Sequence, residues 1–232
     1  MENVLEVKDL MLTIQKETII KGISFRVPNQ KIVALIGHNG AGKSTTMKAI
    51  MGWHEKGAGE ILLQGASQDE DFLYFKTLFS YIPEEPVLMP ELTVFQHFQL
   101  YGASYQIEEK KLKERVNDYT RAFEIQDKLH EFPEALSKGM RQKVQTICAL
   151  LPDVPLLFID EPFMGLDIYA SEFLTNELKR RNREGMSILL TTHQMEKVTD
   201  LCDEYVLLDN GYILEAGNIE EFNGLTRREA DE

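Results

Sequence analysis

The sequence predicts an α/β fold in which a block of helices is inserted into a core of alternating strands and helices. Strand patterns are concentrated in the first 84 residues and return after residue 155. Between them, residues 93–151 show almost no strand pattern, and their apolar residues recur at helical spacing. The chain's 232 residues, 43% of them hydrophobic, are enough for one large α/β domain.

The predicted strands are short apolar segments, many of them next to turn residues. They cover residues 5–7, 24–27, 32–36, 60–63, 79–82, 156–160, 187–191, 204–208 and 212–215. Because sequential strands and helices of this kind pack into one layered domain, we expect no second domain.

The inserted helices are predicted from amphipathic spacing. Leu112, Val116, Tyr119 and Phe123 repeat every three or four residues among charged side chains. We therefore expect a single domain over residues 1–232, with a core at 1–84 and 142–225 and a helical subdomain at about 85–141. The charged tail, residues 226–232, is expected to be disordered.

A phosphate-loop pattern, G-x-x-x-x-G-K-[ST], follows the strand at residues 32–36. Glycines let the backbone wrap a phosphate with its N–H groups, Lys43 reaches the β- and γ-phosphates, and the Ser44 hydroxyl can ligate Mg²⁺. Residues 46–51 have the pattern of the helix that should follow. The candidate nucleotide-binding residues are Gly37, His38, Asn39, Gly40, Ala41, Gly42, Lys43, Ser44 and Thr45.

A second motif, LLFIDEP at residues 156–162, is a buried strand that ends in two carboxylates. This Walker B pattern would deliver Asp160 to a Mg²⁺ shell and place Glu161 where it can polarise a water. A strand that simply ends at an acidic turn is the alternative. The two motifs lie 116 positions apart, from Ser44 to Asp160, which leaves room for the inserted helices.

Four weaker elements accompany these two motifs. Ser137 stands where it can cap an apolar helix, Gly165-Leu166-Asp167 is a tight turn with a carboxylate, and His193 follows the strand at 187–191. The segment YIPEEP, residues 81–86, joins a core strand to the helical insert. Each element alone has an ordinary structural explanation. Their order along the chain, together with the two motifs, favours a functional explanation.

Together these motifs resemble, over nearly the whole chain, the ATP-binding subunit of an ABC transporter. Walker A is GHNGAGKST, the signature is LSKGM, Walker B with its glutamate is LLFIDE, the D-loop is GLD and the switch histidine is His193. The segments YIPEEP and LSKGMRQKV are most similar to those of bacterial ABC-2-type exporter ATPases, especially the Ecs type from Gram-positive bacteria.

The resemblance implies a phosphate-loop NTPase (RecA-like) core with a small antiparallel β subdomain and an inserted α-helical subdomain. It implies ATP and Mg²⁺ as cofactors, with Ser44, Asp160 and Glu84 as metal ligands. Lys43, Glu161 and His193 would be catalytic. Two copies would pack head to tail, so that Ser137 and Gly139 of one copy help to enclose the nucleotide of the other. Asp167 of the D-loop would be a further nucleotide-binding residue.

The chain departs from the family pattern at three places. Ile14 stands about 23 positions before Walker A, where relatives usually have an aromatic residue that stacks on adenine. Glu84 replaces a glutamine, which adds a negative charge and removes an amide donor. In the signature, Lys138 replaces a glycine and Met140 a glutamine.

Composition limits the expected partners and location. The net charge of −13 disfavours attraction to nucleic acid, which is not an expected partner. Apolar runs are too short to span a bilayer, and Glu2 and Glu6 stand where a signal peptide would need cations. We expect a cytoplasmic protein, peripheral on the cytoplasmic face of the membrane, with Cys148 and Cys202 as buried reduced thiols.

A hydrolysing subunit of this length is expected to drive a separate membrane-spanning subunit and to pair with a second ATPase, preferably an identical copy. Residues 72–105 hold nine of the 21 aromatic residues, and a few exposed rings there would fit a docking groove. The alternatives are a nonhydrolysing regulator and an importer ATPase. A DNA-maintenance ATPase or a two-cassette translation factor would need a long insertion or a second cassette.

Overall fold

A computed structural model describes residues 2–192 and 194–222. Within these ranges the chain forms ten strands and seven α-helices. The strands are β1 (Asn3–Ile14), β2 (Glu17–Pro28), β3 (Ile32–Ile36), β4 (Ala58–Leu63), β5 (Ala66–Ser67), β6 (Phe79–Ile82), β7 (Leu156–Asp160), β8 (Ser187–Thr191), β9 (Glu204–Asp209) and β10 (Tyr212–Asn218). The helices are α1 (Lys43–Ile50), α2 (Phe72–Thr77), α3 (Val94–Ser104), α4 (Glu109–Ala122), α5 (Lys138–Leu150), α6 (Ile168–Arg183) and α7 (Met195–Leu201).

The central sheet has six strands in the order β10-β9-β3-β8-β7-β6. β10 runs antiparallel to β9 at one edge, and all other neighbours are parallel. The carboxyl ends of β3, β6, β7 and β8 therefore meet at one edge of the sheet, the edge at which open α/β sheets bind ligands.

A second, antiparallel sheet has the order β2-β1-β4-β5. β1 and β2 have 12 residues each, much longer than the predicted segments at 5–7 and 24–27. Shifts in the pairing register interrupt the alternation of β1 between Val7 and Leu10, and Asp9 there has a positive φ of 48°. This irregularity, which has the character of a β-bulge, hid the full strands from the sequence pattern.

The central sheet separates two hydrophobic cores. Ile32, Ala34 and Ile36 of β3 face the core formed with α3 to α7, whereas Val33 and Leu35 face the core formed with α1 and the antiparallel sheet. β3 is buried over its whole length, as expected for a strand covered on both faces. The predicted α/β fold with an antiparallel sheet and inserted helices is confirmed.

The helical insert also follows the prediction. α3 begins at a capping box formed by Thr93 and Gln96, and α4 buries Val116 and Tyr119. Phe123, directly after α4, is fully buried. The proposed subdomain boundary at residue 141 falls within α5. The short helix α2 was not predicted.

Both cysteines are buried and unpaired, as predicted, and burial raises the pKa of each thiol above its ordinary value. In the part of the chain that the structure describes, no helix has the length and apolar character needed to cross a membrane. The tail predicted to be disordered, residues 226–232, lies outside the described residues.

Candidate functional site

The phosphate loop connects β3 to α1 at the carboxyl edge of the central sheet. Gly37 has a φ of 154°, and a Cβ added there would lie 2.3 Å from the carbonyl oxygen of Leu208. Only glycine fits this close approach between the loop and β9. Gly42 precedes α1 with a φ of 106°, and among the described residues no side chain caps this eight-residue helix. The first-turn N–H groups of α1 can therefore bind an anion.

Two basic side chains, Lys43 and His38, lie along this loop. Lys43 Nζ donates hydrogen bonds to the carbonyl oxygens of Gly37, at 2.9 Å, and His38, at 3.1 Å. The ammonium group thus lies across the mouth of the loop, where it can transfer these bonds to phosphate oxygens. His38 Nε2 lies 2.7 Å from Asp209 Oδ1, at the end of β9. Of the other loop residues predicted to bind nucleotide, Asn39 and Gly40 are exposed, Ala41 is buried and Thr45 is partly buried.

The turn between β9 and β10 supports the loop from behind. Gly211 N donates to Ala41 O at 3.1 Å, and its own carbonyl accepts from Lys21 N of β2 at 2.9 Å. The phosphate loop is therefore held between the end of β9 and the antiparallel sheet. Sequence reasoning did not identify Asp209, because nothing in its local pattern pointed to a residue 171 positions away.

Walker B meets Walker A at the same edge. Asp160, the last residue of β7, is 3% exposed, and its Oδ1 accepts a hydrogen bond from Ser44 Oγ of α1 at 3.1 Å. The Thr191 hydroxyl donates to the same carboxylate oxygen. On the other side, Tyr81 OH lies 3.5 Å from Asp160 Oδ2. Burial first, and then the negative charge of Asp160, raise the pKa of Tyr81, so that its phenol remains a donor at neutral pH.

Glu161 follows directly and is partly buried. Its φ of 47° is in the left-handed region, which a glutamate rarely adopts. Its N–H donates to Thr191 O at 3.1 Å, so this backbone is tied to β8. The geometry places a second carboxyl group beside Asp160. His193 lies outside the described residues.

The signature and the D-loop lie together, beside α6. Ser137 caps α5 by accepting from Met140 N at 3.2 Å, and Asp167 caps α6 by accepting from Ala170 N at 2.8 Å. Lys143 Nζ lies 2.6 Å from Asp167 Oδ2. This hydrogen bond is the main reason that the pKa of Asp167 lies below its ordinary value. Asp167 thus contacts the signature helix of its own chain.

Glu84, two residues beyond β6, is exposed. Its negative charge contributes, after burial and Asp160, to raising the pKa of Tyr81. Gln142 Nε2 of α5 donates to Pro83 O at 3.1 Å and ties the adjoining segment to the signature helix. A Mg²⁺ ligand at Glu84 stays a prediction.

The site fits a nucleotide with its magnesium ion. A loop whose glycines cannot carry a side chain, an uncapped helix N-terminus and Lys43 form a cradle for phosphates. Within the described residues, no group of three or more His, Cys, Asp or Glu forms a cluster suited to a metal ion. Ser44 and Asp160 would instead supply the one or two protein oxygens that Mg²⁺ takes when phosphates and water complete its shell.

Comparison with known proteins agrees with this geometry. A profile of the ABC transporter family matches residues 20–164. The chain belongs to the ABC transporter family. It is 37% identical over 219 residues to the ABC-type transporter ATP-binding protein EcsA of Bacillus subtilis strain 168, covering 94% of this chain and 89% of EcsA. It is 32% identical to the SkfA peptide export ATP-binding protein SkfE of the same strain, covering 88% and 84% of the two chains.

A solved structure titled as the ATP-binding subunit of an ABC transporter superposes with a TM-score of 0.90 at 38% identity, covering 94% of this chain and 91% of the other. These findings confirm the predicted resemblance to the ATP-binding subunit of an ABC transporter, and in particular to Ecs-type proteins.

Besides the contact of Asp209 with His38, two further contacts of this ABC subunit were missed from sequence. Thr191 is the last residue of a correctly predicted strand and pairs in register with Asp160. The strand order could have revealed it, but strand order is not visible in a single sequence. Tyr81 was identified only as part of YIPEEP, with no role for its hydroxyl.

Proposed function

We propose that this chain binds Mg-ATP and hydrolyses its γ-phosphate to power export through a separate membrane-spanning subunit. The observation that carries the proposal is the meeting of Walker A and Walker B, with Ser44 Oγ 3.1 Å from the buried carboxylate of Asp160 beside the loop. Two polar groups from segments 116 residues apart converge where the loop would hold the phosphates.

The loop and α1 bind and orient the substrate. Lys43 exchanges the carbonyls of Gly37 and His38 for β- and γ-phosphate oxygens, while the N–H groups at the start of α1 bind the phosphates. Ser44 and Asp160 would hold Mg²⁺, which would neutralise charge that develops during phosphoryl transfer.

Glu161 acts as the general base that takes a proton from the attacking water, and His193 holds the γ-phosphate for in-line attack. The hydrogen bond from Glu161 N to Thr191 O fixes the backbone from which the carboxylate extends. In a regular strand, the consecutive side chains of Asp160 and Glu161 would point to opposite faces of the sheet. The left-handed φ of Glu161 breaks this alternation.

A second copy completes the site. Ser137 and Gly139 lie at the start of α5 beside Gly165, and Asp167 is paired with Lys143 of the same helix. These groups form one unit that would face the nucleotide of an opposing subunit, so that closure of a dimer and hydrolysis are linked. We propose an identical copy as the partner, because the chain carries every motif itself.

The membrane partner is proposed from the family and from exposed apolar side chains near the loop at 81–86. Of the nine aromatic rings in residues 72–105, only Tyr74 is exposed, whereas a few exposed rings were expected; the other eight are buried or partly buried. Apolar side chains extend the surface instead: Trp53, Leu73, Val87 and Met89 are 55%, 79%, 72% and 52% exposed. Such a surface fits a short amphipathic helix of a membrane subunit at the cytoplasmic face.

Export is the preferred direction because SkfE is named for peptide export and is similar along most of its length. An importer ATPase would use the same chemistry in this chain. The transported substrate would be selected by the membrane subunit.

The first test is the solution mass of purified Glu161→Gln with and without Mg-ATP, together with a direct measurement of nucleotide binding. We expect ATP binding, dimerisation on ATP addition and hydrolysis reduced by about 10²-fold or more. Binding without dimerisation would point to a different ATPase partner. Absence of binding would overturn the nucleotide site, and near-normal hydrolysis would remove Glu161 from its role.

A further inference from the structure

Three hydroxyl groups from three different elements surround the Asp160 carboxylate. Ser44 of α1 and Thr191 of β8 both donate to Oδ1, and Tyr81 of β6 approaches Oδ2 at 3.5 Å. Asp160 is 3% exposed and Thr191 is fully buried, so solvent contributes little to this arrangement. A buried carboxylate without such donors would be costly.

The sheet itself explains why these groups converge. β6 and β8 flank β7 on its two sides, and Thr191 pairs in register with Asp160. Strand side chains alternate between faces, so Asp160 shares the face of Leu156 and Phe158. Phe79 and Tyr81 of β6 and Leu189 of β8 contact the same core, the one that α1 covers. Thr191, two residues after Leu189, also shares this face.

We propose that Thr191 and Tyr81 are positioning residues that hold the Asp160 carboxylate in the orientation required for Mg²⁺. The inference rests on the proposed function, and it assigns roles to two side chains outside the predicted ligand set. When Ser44 turns its oxygen to a metal ion, its hydrogen bond to Asp160 is lost, whereas those of Thr191 and Tyr81 persist. The carboxylate then keeps one orienting donor on each oxygen.

Both positioning groups are rigid. Thr191 lies on an inner strand, and its branched side chain has few rotamers. The Tyr81 ring is held by Trp53, which packs against it edge-on with centroids 5.3 Å apart and an interplanar angle of 89°. Partners that orient a metal ligand typically contribute 10- to 100-fold in metal affinity. Thr191 has the closer contact, and the longer Tyr81 bond should contribute less.

The test compares the affinity for a nonhydrolysable ATP analogue in Mg²⁺ and in EDTA, measured by calorimetry on the full chain. Thr191→Val keeps the side-chain shape but removes the hydroxyl, whereas Thr191→Ser retains the hydroxyl. Tyr81→Phe removes the hydroxyl of the tyrosine but keeps its ring against Trp53. Thr146→Val is the matched control: Thr146 is also fully buried, and its hydroxyl has no hydrogen-bond partner among the described residues.

We expect Thr191→Val to weaken binding in Mg²⁺ by about tenfold or more and binding in EDTA by less than about twofold. Thr191→Ser should recover the wild-type affinity to within about twofold, and Tyr81→Phe should lose about threefold in Mg²⁺ only. Thr146→Val should change neither affinity. If the valine substitution at Thr191 prevents folding, the loss confined to Mg²⁺ in Tyr81→Phe carries the test.

If Thr191→Val and Tyr81→Phe lost the same affinity in Mg²⁺ as in EDTA, or lost none, the positioning role would be overturned. The proposed function would stand in that case, provided that the wild-type chain binds the Mg-nucleotide. If the wild-type chain itself fails to bind the Mg-nucleotide, the proposed function fails, and this inference fails with it.

Discussion

Gly139 and Gly165 contact each other so closely that a Cβ on Gly139 would lie 2.8 Å from the Gly165 carbonyl oxygen. The first turn of the signature helix α5 therefore packs directly on the backbone of the turn that leads into α6. The ion pair of Lys143 with Asp167, at 2.6 Å, joins the same two segments. The signature and the D-loop are thus a single unit within the chain.

Gly139→Ala should disrupt this unit. The added methyl group has to displace backbone atoms, and overpacking of this kind costs about 1–2 kcal/mol of unfolding free energy. Hydrolysis should fall further, by about tenfold or more, because a small displacement of a catalytic group has a large effect on rate. Chemical denaturation and ATPase assays measure the two effects.

The matched control is Lys138→Ala, one residue earlier. Lys138 is exposed and pairs with exposed Glu85, so its loss should change the unfolding free energy by less than about 0.5 kcal/mol. A Gly139→Ala variant as stable and as active as the wild type would contradict the close packing.

Arg181 of α6 is buried and connects three segments. Its guanidinium donates to Glu177 Oε1 at 3.1 Å, to Tyr119 OH of α4 at 2.7 Å and to Asp153 Oδ1 at 3.0 Å. It also donates to Leu150 O at the end of α5, at 2.5 Å. This cluster fixes the carboxyl end of the signature helix to α4 and α6.

Arg181→Met should lower the unfolding free energy by about 1–3 kcal/mol, because the Glu177 carboxylate and the buried Leu150 carbonyl each lose a donor, while Arg180 still pairs with Glu177. Arg183→Met on the same helix is the control, since Arg183 is exposed and should cost less than about 0.5 kcal/mol. Equilibrium denaturation in urea compares the two. Equal midpoints would show that the cluster adds no stability.

Asp153 gives this cluster a pH dependence. Burial acts to raise the pKa of its carboxyl group, but hydrogen bonds from Lys111 and Arg115 and their positive charges outweigh it and lower the pKa from 3.8 to about 2. Between these two values the unfolded chain binds more protons than the folded chain, so the stabilisation present above pH about 4 is lost as the pH falls toward 2.

Asp153→Asn should therefore be less stable than the wild type at pH 7 and should lose less stability than the wild type on acidification. The Asp153 side chain is 54% exposed, and solvent screening reduces the expected difference at pH 7 to about 1 kcal/mol. Urea unfolding at pH 7 and across the acid range checks this. Parallel curves for the two proteins would exclude Asp153 as the titrating group.

The sequence predicted the strands of the central sheet well because they are short, mostly apolar runs. The predicted bounds of β6, β7 and β8 agree with the structure to the residue. The ends of β1 and β2 were missed, since a change of register at Asp9 breaks the alternation. Helix α2 has only six residues, too few for a periodic signal.

Some residues of the candidate site were likewise predicted from the sequence, and others were missed. Ser44 and Asp160 were predicted from motifs whose spacing reflects backbone geometry, and the structure brings them together. Thr191 and Asp209 were missed because their roles depend on which strands are neighbours. That order arises from packing across the sheet, which one sequence does not display.

Ile14 offers a test of base recognition. It is the last residue of β1, partly buried, at a hairpin turn in which Gln15 and Lys16 have φ values of 50° and 70°. An aliphatic side chain cannot stack on adenine as an aromatic ring does, and such stacking contributes about 1–3 kcal/mol per base. We therefore expect Ile14→Tyr to tighten ATP binding by about five- to tenfold.

Thr13→Tyr is the control for this prediction. Thr13 is adjacent and exposed, and its side chain points to the other face of the strand, so a tyrosine there gains no contact with the base. Calorimetric titration of ATP and GTP into each variant measures affinity and base preference together. A larger gain for ATP than for GTP in Ile14→Tyr alone would place the base beside residue 14, whereas an unchanged ATP affinity would place it elsewhere.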